Sequence, residues 1–266
     1  MNIALGCLAS GSSGNCYLIK TNTTNILVDA GISGKQIFER LGNYGVSDVP
    51  DAVLVTHEHS DHIQGVPALI KKGARFFATE KTFDAIKCKD ESLCASTFAI
   101  GDVFTIGDIQ VSSFAVSHDA ADPCGFSFFA GGNCISIITD TGYVTPDCYR
   151  YMQKADILVL ESNHDESMLR IGRYPWFLKQ RILSDKGHLS NEDAAKALRD
   201  VMKLDELSGQ IKKRQVLLAH LSKENNFPKM AMITVNNVLE EAGFAQGKDV
   251  LLDTLSRTEQ SPLYVL

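Results

Sequence analysis

The segment Thr56-His57-Glu58-His59-Ser60-Asp61-His62 constrains this chain more than any other. It places three histidines and an aspartate within six positions, in a chain that has seven histidines in all. The apolar run Ala52-Val53-Leu54-Val55 precedes it and reads as a buried strand. Residues 63–70 follow and read as a helix. The cluster therefore falls on a strand-to-helix turn, where side chains of one short segment can converge on one point. Imidazole suits borderline ions such as zinc, iron and manganese, and carboxylate suits the harder ones. Four such groups on one turn repel or desolvate one another unless an ion holds them. A solvated polar loop is the ordinary reading of one histidine on a turn, but not of HxHxDH behind an apolar strand.

The bulk numbers bound the rest. At 266 residues and 44% hydrophobic, the chain can bury a sizeable core as one domain or two small ones. Its net charge is −6. No run of eighteen apolar residues suggests a membrane span, and no basic, signal-like N-terminal segment is present. A soluble cytoplasmic protein is the expectation, with no membrane partner. The seven cysteines are odd in number and none form a CxxC pair, against both a disulfide framework and a zinc knuckle. Most read as small buried hydrophobes. Cys88 and Cys94 are near enough in sequence to pair, but a reducing cytosol argues against it.

Along the chain the first half reads as short strands, at 3–9, 16–20 and 25–29, separated by the turn chemistry of 10–15 and 21–24. Ser33 is a candidate N-cap for a helix reaching about 41. More strands follow at 75–78, 103–106, 109–116, 125–130 and 134–139. The second half alternates helices and buried strands. Residues 146–153 read as helix and 156–160 as strand. Ser190 caps an Ala-rich helix to 202, 215–219 is a strand, and a helix at 228–241 is closed by Gly243. A β-rich half (about 1–150) and a β/α half (about 151–266) fit two packed sheets with helices outside, in one compact domain.

Three chemistry-bearing residues stand just past predicted strands: His118, Asp140 and His220. Strand ends in layered α/β folds gather at a common crevice. Each alone has a dull reading, as a satisfied histidine or a turn aspartate. Following HxHxDH in this order, they resemble the metallo-β-lactamase superfamily, over nearly the whole chain. Four segments add resemblance to its YycJ/WalJ exonuclease branch: Ser10-Gly11-Ser12-Ser13-Gly14-Asn15-Cys16, Asp29-Ala30-Gly31-Ile32-Ser33, Glu161-Ser162-Asn163-His164-Asp165 and Gly187-His188-Leu189-Ser190-Asn191. The resemblance implies an α/β fold, a four-layer αββα sandwich. It implies two divalent ions, zinc or manganese with iron possible, about 3.5–4 Å apart. His57, His59 and His118 would hold one, Asp61, His62 and His220 the other, and Asp140 would bridge. The activity implied is phosphodiester hydrolysis on nucleic acid, most simply a 5′–3′ exonuclease on DNA.

Further comparison within the superfamily gives three residues catalytic roles. The β-lactamases of this fold place a cysteine in the second site, whereas this chain has His62 and His220. Ribonuclease Z is nearer. By analogy His188 would contact the scissile phosphate and Glu161 would orient it; in the two-ion hydrolysis that the superfamily implies, Asp61 would take the proton of the attacking hydroxide. No segment resembles a long tRNA-gripping arm.

A nuclease needs positive surface. Residues 168–186 carry Arg170, Arg173, Lys179, Arg181 and Lys186 against Asp185 alone, with Tyr174, Trp176 and Phe177 among them. Arg170, Arg173, Lys179 and Arg181 are candidate contacts to a phosphate backbone, and a helical lid with solvated charges is the alternative. Ser12, Ser13 and Asn15 could offer donors to a phosphate, or form a plain hairpin turn. Two rival functions stay open: a metal-dependent hydrolase of a small phosphodiester or thioester, and a non-catalytic, metal-stabilised binding module.

Overall fold

The structure is a computed structural model that describes residues 2–86 and 95–266, so Cys88 and Cys94 lie outside the described residues. In chain order the elements begin β1 (Ala4–Ala9), β2 (Cys16–Lys20), β3 (Asn25–Val28), α1 (Gly34–Asn43), β4 (Ala52–Leu54), α2 (Ser60–Ile63), α3 (Val66–Lys71), β5 (Arg75–Thr79) and α4 (Glu80–Ala85). Then come β6 (Ala95–Phe98), β7 (Val103–Ile106), β8 (Ile109–Ala115), β9 (Cys124–Ala130), β10 (Asn133–Ile138), α5 (Pro146–Lys154), β11 (Ile157–Glu161), α6 (Glu166–Ile171) and α7 (Trp176–Ile182). The chain closes with α8 (Asn191–Ser208), β12 (Arg214–Ala219), α9 (Pro228–Glu241), β13 (Val250–Thr254) and β14 (Leu263–Val265). They fall into two compact units, Met1–Phe114 with Ala120–Asn133 and Ser256–Leu266, and Ala115–Asp119 with Cys134–Leu255.

The first unit is built on the order β14-β1-β2-β3-β4-β5-β6. β1, β2 and β3 meander antiparallel, and β3 to β6 run parallel. Ser33 caps α1 in a full capping box with Gln36, as its sequence position suggests. Ile37 and Leu41, four apart on α1, and Val66 and Leu69 on α3 bury their side chains in a core with Leu18, Leu27 and Val53. Burial of each such side chain contributes about 1.5–3 kcal/mol. β4 is buried throughout, so the polar turn that follows it starts from a fixed point.

The second unit carries the parallel order β10-β11-β12-β13. β11 is buried at every position, and its first four residues, Ile157 to Leu160, read as an apolar run, the signature of a parallel strand covered on both faces. Helix α8 packs against α5 and α9. It runs six residues past the expected end at 202, and Gly209 stops it in the left-handed conformation, φ 68°. Cys7, Cys16, Cys124, Cys134 and Cys148 are unbridged and buried, and burial pushes the Cys134 thiol up to about 11. They act as the small hydrophobes their spacing suggests.

Candidate functional site

In the first unit the turn after β4 holds four candidate ligands. His57 Nε2 lies 3.0 Å from His59 Nδ1, and the His57 and His62 ring centroids are 4.0 Å apart. His62 is fully buried, and its Nδ1 lies 2.8 Å from Asp29 Oδ2. Asp29 in turn accepts from the Thr56 N–H (2.8 Å) and hydroxyl. A carboxylate on Nδ1 fixes that proton there and the lone pair on Nε2, the arrangement found behind metal-ligating histidines. Asp61 Oδ2 is 3.5 Å from that Nε2, and the Asn15 amide lies 3.0 Å from it. Burial raises the Asp29 carboxyl above its usual range, against the opposing pull of His62 and Thr56.

Gly31 explains why the turn can sit so close. A Cβ there would lie 1.6 Å from the Asp61 carbonyl oxygen, whose acceptor role toward Asn15 N–H (2.8 Å) locks the two loops. Beside Asp61 opens a cavity of about 690 Å³. Ser12, Ser13 and Gln64 give it polar wall, Ile63, Val66 and Ile86 apolar wall.

In the second unit the sheet register aligns the strand ends. Ile138 pairs with Leu160 and Leu160 with Leu218, so Asp140, Glu161 and His220 emerge from adjacent strands at one edge. Asp140 and His220 are left-handed, φ 56° and 55°, as is Asp29 at φ 59°. Aspartate and histidine tolerate that region better than most residues, yet it remains strained backbone. Glu161 is fully buried; its Oε1 lies 2.8 Å from His188 Nδ1 and 2.9 Å from His220 Nδ1, and its Oε2 accepts the Thr141 N–H at 2.8 Å. Burial works to raise the Glu161 carboxyl, but the His188 charge and the two histidine hydrogen bonds outweigh it and hold the carboxyl well below its usual range.

Asp140, Glu161, His188 and His220 each offer a ligand atom, all within 4.8 Å of one another. His118 stands beside them, with Nε2 3.9 Å from Asp140 Oδ1 and its ring centroid 5.1 Å from that of His188. The His118 Nδ1–H donates to the Gly187 carbonyl (3.1 Å), which leaves Nε2 as the ligand nitrogen, and burial lowers the ring pKa against the pull of Asp140, Glu161 and Asp119. These nitrogen and oxygen donors, several with their tautomers fixed from behind, fit divalent transition ions and not a thiolate site.

Each unit thus gathers its own share of the expected ligands: His57, His59, Asp61 and His62 in the first, His118, Asp140 and His220 with Glu161 and His188 in the second. The candidate substrate contacts divide. Ser12, Ser13 and Arg173 are exposed, whereas Asn15 is buried and committed to Gly11, Asp61 and His62. Arg170 pairs with Glu166 and Arg181 with Asp119. Lys179 is buried, and its ammonium donates to the Arg170 and Gly172 carbonyls at 2.7 Å each, which closes the end of α6. That geometry makes Lys179 a cap and not a surface cation.

Sequence reasoning assigned no role to Asp29, Asn163 or Asn226. Asn163 donates to the His220 carbonyl (2.8 Å) and so braces the strained His220 backbone, while Asn226 donates to the Ser162 carbonyl (2.8 Å) and holds the segment that carries Asn163. Asp29 had one legible signal, a lone carboxylate ending an apolar strand ahead of the histidine turn.

Residues 24–220 match the model of the Beta-lactamase superfamily domain. The chain is 44% identical over 254 residues to "Exodeoxyribonuclease YycJ" of Bacillus anthracis, covering 93% of each chain. It is 43% identical over 264 residues to "Exodeoxyribonuclease WalJ" of Streptococcus pneumoniae, covering 96% of this chain and 95% of that one. The chain belongs to the metallo-β-lactamase superfamily, in its YycJ/WalJ branch. Solved structures agree on the fold: the metallo-β-lactamase fold protein YhfI of Bacillus subtilis aligns over 100% of this chain and 99% of that one, with TM-score 0.72 and 15% identity. Unliganded yeast PDE1 aligns over 99% and 100%, with TM-score 0.73 and 14% identity. The fold is α/β, two mixed sheets with helices, and the chain is a metal-dependent hydrolase of this superfamily.

Proposed function

We propose that this chain is a two-metal nuclease that removes nucleotides from DNA in the 5′–3′ direction. The observation that carries the reading is its near-full-length identity with two relatives named exodeoxyribonucleases. The ligand sets support it chemically. His57, His59, Asp61 and His62 of the first unit and His118, Asp140 and His220 of the second would hold two ions, zinc or manganese. When bound, such a pair supplies Lewis acidity and an activated water.

The chain's own groups have separable tasks. Glu161, ionised and buried, keeps a proton on His188 Nδ1 and holds the ring in place. His188 is part-exposed, with 20% of its side chain accessible, so its Nε2 can reach a phosphoryl oxygen and donates to it when that nitrogen also carries a proton. Asp61 accepts the proton of the attacking water. No helix among the described residues is long and apolar enough to cross a membrane, and the proposed setting is the cytoplasm.

The test is metal-loaded protein on 5′-phosphorylated duplex DNA. Two ions per chain, nucleotide release from 5′ ends, and loss of release in Asp61→Ala are expected. Equal release by wild type and Asp61→Ala, or no metal-dependent release, would overturn the reading. The rival substrate, a small phosphodiester, separates by salt: polyanion cleavage falls steeply with ionic strength and small-ester cleavage does not.

A further inference from the structure

The turn that follows β1 is joined by a cation that the ligand sets do not use. Gly14 N–H donates to the Gly11 carbonyl (2.8 Å), so Ser12 and Ser13 are the central residues of a β-turn. Both are exposed, and among the described residues their N–H groups and hydroxyls make no hydrogen bond. Arg257 lies against the same turn. A Cβ on Gly11 would fall 2.7 Å from the Arg257 Cγ and 3.1 Å from its Cδ, so only glycine lets the arginine stem cross there. One residue before each, the Ser10 N–H donates to the Ser256 carbonyl (3.2 Å) and stitches the two segments together. Arg257 is half-buried, yet its guanidinium forms no ion pair and no hydrogen bond among the described residues. Arg40 shows the contrast: its guanidinium donates to the Leu8 and Thr258 carbonyls and is committed to the backbone.

The turn is also tied to the histidine cluster, and all of these residues belong to the first unit. Asn15 Oδ1 accepts the Gly11 N–H at 2.9 Å, the Asn15 N–H donates to the Asp61 carbonyl at 2.8 Å, and its Nδ2 lies 3.0 Å from His62 Nε2. Ser12 and Ser13 line the cavity beside Asp61, whose apolar wall includes Ile63 and Val66. The turn therefore holds its donors at a fixed place relative to the ligands.

What this group lacks is an acceptor. A guanidinium, two hydroxyls and two turn N–H groups are all donors toward an anion. Phosphate offers several oxygens at once and matches the guanidinium fork. The acids of the cavity do not fill the role. Glu58 Oε1 accepts the Ala121 N–H (2.8 Å), Asp61 belongs to the ligand set, and neither pairs with Arg257.

We propose that Arg257, with Ser12 and Ser13, forms a phosphate-binding subsite for the DNA strand. This deepens the nuclease reading and rests on it for the identity of the ligand. Arg257 is then a residue of binding and not of the chemical step.

The probe is a labelled phosphorothioate duplex, added to metal-loaded full-length protein and followed by anisotropy. Arg257→Gln keeps the stem over Gly11 and removes the charge. It should weaken binding roughly tenfold, raise KM on ordinary duplex by the same factor, and leave kcat and the melting temperature unchanged. The slope of log affinity against log salt should fall by about one. Arg257→Lys should recover part of the affinity. Gly11→Ala, which displaces the stem, should reproduce the loss, with little further loss in the double variant. Duplexes with a 5′ phosphate and a 5′ hydroxyl separate the two sources of the phosphate. A loss confined to the first assigns the terminal group, and an equal loss on both assigns an internal phosphodiester. Wild-type affinity, KM and salt slope in Arg257→Gln would overturn the subsite. So would an undiminished loss on a duplex with neutral methylphosphonates at a 5′-hydroxyl end, or a fall in kcat and melting temperature together, which would make Arg257 structural. The two readings fail differently. If the nuclease reading fails, wild type releases no nucleotide from any DNA; if only the subsite fails, wild type degrades DNA and Arg257→Gln matches it in KM.

Discussion

His164 offers a quantitative check on the polar interior of the second unit. It is 1% exposed, and neither ring nitrogen has a hydrogen-bond partner among the described residues. Burial lowers its pKa from 6.5 to about 4, with Glu161 pulling the other way. A depressed histidine is neutral in the folded chain and more easily protonated in the unfolded one. Its contribution is therefore intact above the unfolded value and is lost as pH falls toward the folded value. From pH 7 to pH 5 that loss is about 2 kcal/mol, and about 3 kcal/mol by pH 4. The perturbation is His164→Leu, which removes the titrating ring at similar volume. Urea unfolding of wild type and variant at pH 7 and pH 5, in the same metal state, gives a double difference in which the other groups cancel. Wild type should lose about 2 kcal/mol more than the variant over that interval. At pH 7 the variant should be near wild type or above it, because a buried donor without a partner is replaced by an apolar group. Equal pH dependence of the two proteins would refute the reasoning, since it would mean that water reaches the ring or that a partner satisfies it.

Four further outcomes follow from residues described above. Asp29→Asn removes the carboxylate behind His62, and metal affinity read by competition with a chelator should fall about 10–100-fold with the circular dichroism unchanged. Gly31→Ala forces a Cβ into the Asp61 carbonyl, so thermal unfolding should show a loss on the order of 2 kcal/mol or more, with nuclease activity lost beyond what stability accounts for. Lys179→Met should cost about 1–3 kcal/mol by leaving two helix-end carbonyls without their donor, and should leave the salt dependence of DNA binding as it was. Arg173→Ser should do the reverse, with stability within about 0.5 kcal/mol and the slope of binding against salt reduced by about one.

What the sequence disclosed, and what it hid, follows the range of the interactions. The Ser33 cap and α9 are local: a hydroxyl three residues before a glutamine, and a proline start at 228. HxHxDH was legible because its ligand groups are adjacent in the chain. Asp140 and His220 were legible because buried strands point to them. The α6–α7 segment was harder. Its composition spoke of surface cations, but composition cannot say that Lys179 turns inward to close α6 while Arg173 stays in water. Short elements such as β14, three residues long, carry too little periodicity to be read at all. Asp29, Asn163 and Asn226 were missed because each acts on a residue tens of positions away, at separations of 33, 57 and 64. Such pairings leave no local spacing to detect.

The three left-handed residues tie these observations to function. Asp29, Asp140 and His220 each follow a strand that is buried at its end. Each is a non-glycine residue in a conformation that costs on the order of 1–3 kcal/mol. A glycine would relieve that strain and would remove the side chain. Keeping a carboxylate or imidazole there therefore trades stability for a donor placed one or two residues beyond a rigid strand. Its direction is then set by the sheet and not by a mobile loop. The bracing fits the same logic: Thr56 holds Asp29, and Asn163, whose own carbonyl accepts the Ser222 N–H, holds His220. Asp29 and His220 also hold buried hydrogen bonds, so the cleanest test is Asp140, where substitution by glycine should raise the stability of the metal-free chain while metal binding falls. That opposition of signs separates strain kept for a ligand from strain that is incidental, because incidental strain would be relieved with no loss of metal.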